Sequence, residues 1–103
     1  MYNDDTINRV LHDIRNERVR QEAFKSEGRF KYTPDEVPLI RGHAMLSEEC
    51  GEVARAALAV SGYVQEDLTL DDAYKELVQV AAIATAMAEN ILRNDHAKLS
   101  GVA

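Results

Sequence analysis

The chain has 103 residues, 46% of them apolar, which suits a single domain whose core has little stability to spare. A formal net charge of −6 excludes a general nucleic-acid or anionic-membrane surface. The single Cys50 excludes an internal disulfide and fits a reduced compartment.

Five Gly, two Pro and no Trp, with Ala, Leu and Val abundant, favour helices over sheets. The expected fold is all-α: one short helical bundle over residues 1–103, with about 95–103 as a frayed tail. The first residues are polar and acidic and offer no leader h-region, and no apolar run is long enough to span a bilayer. A cytoplasmic protein is therefore expected.

The first helix is expected over about 5–24, with Ile7, Val10, Leu11 and Ile14 at helical spacing and Asp4 and Asp5 at its positive end. Past Ile14 the same face turns polar, through Glu17, Arg18 and Gln21. Residues 25–38 read as a loop, broken by Gly28, Pro34 and Pro38 and enriched in Lys25, Arg29, Phe30, Lys31 and Tyr32. Within it, Thr33-Pro34-Asp35-Glu36 has the form of a capped helix start.

The second helix is expected over about 39–60, its apolar stripe running through Leu39, His43, Leu46, Cys50, Val53, Ala57 and Val60. On that stripe His43 reads as a buried, hydrogen-bonded imidazole and Cys50 as a small core residue. Gly62 is the expected stop. The third helix is expected over about 70–93, capped by Thr69. Its apolar face is Ala73, Leu77, Val80, Ala84, Met87 and Ile91, and Glu76 sits inside the edge of that face. Apolar faces this wide exceed what one short chain can cover, so a homodimer or homotetramer is expected.

Three glutamates within five residues, Glu48, Glu49 and Glu52, lie in the middle of the second helix. Glu49 and Glu52 share a face at i, i+3, and like charges so placed repel. Glu76 and Gln79 repeat the spacing on the third helix. If the two faces meet, four oxygen-bearing groups converge, the kind of donor set that a hard divalent cation takes. A solvated acidic face is the plain alternative for the glutamates. An acidic chain of this kind can still bind a nucleotide through a metal, because the ion reverses the local sign.

Ser47-Glu48-Glu49-Cys50-Gly51-Glu52-Val53-Ala54-Arg55, followed by Lys75-Glu76-Leu77-Val78-Gln79-Val80-Ala81-Ala82, resembles the MazG-like nucleoside triphosphate pyrophosphohydrolases. Their superfamily also includes dimeric dUTPases and phosphoribosyl-ATP pyrophosphohydrolases. Its signature is EExxE, a variable gap, then ExxD; here the gap from Glu52 to Glu76 is 23 residues. Glu17 to Lys25 is similar to the ERxRQ…K segment of small members, so the likeness covers about residues 8–92.

The resemblance implies an all-α enzyme that hydrolyses a nucleoside triphosphate to monophosphate and pyrophosphate. Its cofactor would be Mg²⁺, with Mn²⁺ as the other candidate ion. By position, Glu49, Glu52 and Glu76 match the family's metal ligands. Glu48 matches its first Glu and, with Glu49, makes up the catalytic pair. Gln79 stands where the family has its last acid, and an amide oxygen coordinates without contributing charge. Lys25 and Arg18 are candidate phosphate contacts, as point charge and fork, with a solvated helix end as the alternative. Phe30 and Tyr32 can stack a base, fill the core or meet a second copy.

Overall fold

The computed structural model describes residues 3–27 and 39–99. They form three helices and no strand: α1 Asp4–Ser26, α2 Leu39–Val60 and α3 Leu70–Leu99. The expected all-α class is what the structure shows. The basic aromatic stretch 29–32 and the Thr33–Glu36 helix start lie outside the described residues.

Each helix end has a local cause. Asn3 caps α1, its side chain accepting a bond from the Thr6 amide at 3.0 Å. α1 runs past 24 because its last turn is tied down: the Ser26 hydroxyl donates to the Glu22 carbonyl at 3.1 Å, and Lys25 pairs with Glu22 at 2.8 Å. Lys25 and Ser26 are therefore helical, not part of the expected loop. α2 stops at Gly62, which has φ +82°, a conformation open to glycine at no steric cost. The Tyr63 amide bonds back to Leu58 and the Gly62 amide to Ala59, the Schellman pattern.

α3 begins in a reciprocal cap. The Asp72 amide donates to the Thr69 hydroxyl at 3.2 Å, and the Thr69 amide donates to the Asp72 carboxylate at 2.8 Å. That bond, with a second from the Thr69 hydroxyl, holds the Asp72 carboxyl below its usual range. α3 continues to Leu99, where a frayed tail was expected from about 95. No Gly or Pro interrupts it before Gly101, and Ala97, Lys98 and Leu99 are good helix formers.

Both α1 and α2 pack on α3, and among the described residues they do not pack on each other. Gly42, early in α2, lies against Met87, late in α3, so these two helices are antiparallel. α1 runs in the same sense as α3: Asp13 reaches Tyr74, and Arg18 reaches Glu89. α3 is thus the shared spine.

The buried face of α2 differs from the expected stripe. Gly42, Ala56 and Ala59 are buried, while Leu39, His43, Cys50 and Ala57 are exposed. The packed seam runs through Gly42, Met45, Leu46, Glu49, Val53 and Ala56. Its heptad of Gly42, Glu49 and Ala56 carries no large apolar side chain, and Gly42 leaves room for the Met87 side chain. The opposing surface of α3 is similar, with Ala82, Ile83 and Ala86 buried and Leu77, Ala84 and Ile91 exposed. Counting apolar side chains at helical spacing selects the larger residues. The fold instead turns the smaller ones inward, because small residues allow two helix axes to come close. On α1, Val10 and Ile14 are half-buried, whereas Ile7 and Leu11 are exposed.

The two helical glycines of α2 separate these effects. A Cβ on Gly42 would stand 3.2 Å from the Met87 side chain, whereas nothing lies within 4 Å of one on Gly51. Gly42→Leu should destabilise by about 1–3 kcal/mol through overpacking. Gly51→Ala should stabilise by about 0.5–1 kcal/mol through helix propensity. Urea unfolding of both variants checks the pair; equal effects would place the seam elsewhere.

Candidate acidic site in the α2–α3 seam

The seam carries two carboxylates that elementary electrostatics would keep apart. Glu49 sits a heptad after Gly42 on α2, and Glu76 a heptad before Ile83 on α3. Both are half-buried, and each has one carboxylate oxygen, Oε2, that is fully buried without a hydrogen-bond partner. Leaving a buried polar atom unpaired costs about 1–3 kcal/mol, and more when it is charged. Burial pushes the Glu49 carboxyl up, and the charges of Glu76, Glu52, Glu48 and Glu17 push it further. The two helices thus bring a concentrated negative field into one contact.

The other acids take the rim. Glu48 and Glu52 are exposed. Arg55 lies 3.7 Å from Glu52 but bonds at 2.7 Å to Glu66, in the connection to α3, so it neutralises the seam only from outside. Asp72 is held in its cap. Gln79 lies one step round α3 from Glu76 and lines a groove towards α1, together with Glu17. Among the described residues no three His, Cys, Asp or Glu side chains are arranged to hold a metal ion by themselves.

Of the two candidate phosphate contacts, Arg18 is committed elsewhere. It is buried, and its guanidinium donates to Glu89 at 2.7 Å, Glu22 at 2.9 Å and Gln21 at 3.1 Å. Nε and Nη2 reach Glu89 on α3, while Gln21 and Glu22 hold Nη1 and Nη2 from within α1, so all three nitrogens are engaged. Lys25 is in the last turn of α1, paired with Glu22. The two residues expected in the core of α2 are both on the surface: His43 and Cys50 are exposed.

Glu17 is the site residue that sequence reasoning passed over. Its side chain is only 12% exposed, Arg20 holds it in a two-bond fork, and its charge reaches Glu49 from α1. The available signal was its place three residues after Ile14, on the face that α1 turns inward.

A raised Glu49 pKa has a definite consequence for stability. The folded carboxyl binds its proton more tightly than the unfolded one, whose ordinary value is 4.5. The associated stability is fully present below that value and is lost as pH rises through the raised one. Glu49→Gln should therefore raise the melting temperature by a few degrees at pH 7 without divalent cation. The gain should fade at pH values below the ordinary carboxyl range. Calorimetry across pH checks this; a destabilised variant at pH 7 would mean that Glu49 has a partner.

No family model matches the chain, and neither a curated protein nor a solved structure does. The likeness to MazG-like enzymes rests on the motif residues alone.

Proposed function

We propose that this protein is a Mg²⁺-dependent nucleoside triphosphate pyrophosphohydrolase, a cytoplasmic homo-oligomer that releases nucleoside monophosphate and pyrophosphate. The observation that carries this reading is the pair of buried, unpartnered carboxylate oxygens, Glu49 Oε2 and Glu76 Oε2, one from each motif-bearing helix. A hard cation satisfies such oxygens, and Mg²⁺ ordinarily keeps several waters and phosphate oxygens, so one or two protein carboxylates suffice to anchor it. Mn²⁺ fits the same donors.

In this reading Glu49 and Glu76 anchor the ion, Glu52 adds negative charge from the rim, and Gln79 stands at the groove end. A bound divalent ion supplies charge neutralisation for the phosphate oxygens and holds them in line for displacement. Glu48, exposed at the rim, accepts a proton from the attacking water as its oxygen joins phosphorus and the bond to pyrophosphate breaks. Lys25 exchanges Glu22 for a phosphate oxygen when substrate arrives.

A second reading is favoured by two observations. Gln79 replaces the last acid of the signature, and no three acidic groups converge among the described residues. On that reading the chain is a nucleotide-binding module without turnover. One experiment decides. With Mg²⁺, wild type should release pyrophosphate from at least one member of an NTP and dNTP panel. Glu49→Gln should lower the rate by at least about 100-fold. Mg²⁺-dependent nucleotide binding without release would select the module; neither would dismiss both and leave a plain helical scaffold.

Self-association is supported by how little the described residues bury. The buried apolar side chains are Ala56, Ala59, Ala82, Ile83 and Ala86, while Leu11, Leu39, Leu58, Leu77 and Leu92 are exposed. A bundle completed by a second copy would cover such residues. Light scattering should give a dimer or tetramer; a strict monomer at micromolar concentration overturns this part.

A further inference from the structure

We propose, resting on the reading above, that the groove between α1 and α3 receives the uncharged nucleoside half of the substrate while the acidic seam takes its phosphate tail through the metal. The groove has a volume of about 520 Å³, within the range of small-molecule sites.

Its charges cancel. Arg9 pairs with Asp13 at 3.0 Å, Lys75 with Asp71 at 3.4 Å, and Arg20 with Glu17. A phosphate entering here would meet a carboxylate beside every cation. A neutral group displaces none.

The rest of the lining suits such a group. Asn16 from α1 and Gln79 from α3 are amides, each offering donors and an acceptor, the complement of a nucleobase edge. Asn16 Nδ2 lies 3.1 Å from His12 Nε2, which steadies the amide. Val78 and the Tyr74 ring add apolar surface, and the Tyr74 hydroxyl is tied to Asp13 at 2.6 Å, which fixes the ring.

The groove also ends at the right place. Glu17 and Gln79 line it, and Gln79 stands three residues from Glu76 on α3. Neutral groove and acidic seam are therefore neighbours, suited to one molecule with an uncharged head and a charged tail.

Amide NMR on the metal-free protein tests this, using adenosine, guanosine, cytidine, uridine and thymidine. At least one should shift Asn16, Val78 and Gln79. Shifts confined to other residues, or none with any nucleoside, overturn the inference. Asn16→Ala should raise KM for the preferred triphosphate about fivefold, the loss of one hydrogen bond, with kcat within about twofold and Mg²⁺ affinity unchanged. A KM within about twofold of wild type overturns it as well. Failure of the underlying reading has a different signature: Mg²⁺ with inorganic pyrophosphate would then shift no amide around Glu49 and Glu76.

Discussion

Two half-buried carboxylates on facing helices, each with a buried oxygen that has no hydrogen-bond partner among the described residues, are the feature on which this molecule turns. Glu49 and Glu76 stand in the α2–α3 seam, one from each helix. Among the described residues, every neighbour that acts on Glu49 makes its charge less favourable. A marginally stable three-helix chain does not tolerate such a pair without an offsetting gain. Strain of this kind at a defined place is typical of a binding site, where the missing charge comes with the ligand.

The remaining architecture holds that pair in place. Small residues at Gly42, Ala56, Ala82 and Ala86 line the contact of α2 with α3, where the charge of Glu76 acts on Glu49. The Schellman stop at Gly62 and the Thr69–Asp72 cap fix where each helix ends, and with it the register of the seam. Arg18, spanning α1 to Glu89, and Tyr74, reaching Asp13, lock α1 alongside. α1 in turn delivers Glu17 to the edge of the acidic centre. Polar bonds do most of the work between α1 and α3, where the apolar contribution is small.

Charge is sorted across the molecule. The seam gathers unbalanced acids, while the α1–α3 groove next to it balances every cation with a carboxylate. Two adjoining surfaces of different character give a small fold the means to treat the two ends of one ligand differently. The proposed chemistry needs this division, because the phosphate end depends on a cation and the other end does not.

The three helices, the cap at Thr69, the stop at Gly62 and the i, i+3 spacing of the acids were legible in the chain itself, since propensity, capping and spacing are local properties; that only Glu49 of the triplet turns into the seam with Glu76 was not. Helix faces were less so. Periodicity favoured Leu39, His43 and Cys50 for the core of α2, yet these are exposed and Gly42, Ala56 and Ala59 are buried. The choice between adjacent faces depends on how closely a partner helix approaches, which no single helix encodes. The same reason explains Arg18, whose acceptor Glu89 lies 71 residues away, and Glu17, whose charge matters only once α1 lies beside the seam. Local sequence determined which residues could bear charge and where helices start and stop. Only the packing of α1 and α2 on α3 decided which of those charges are buried together.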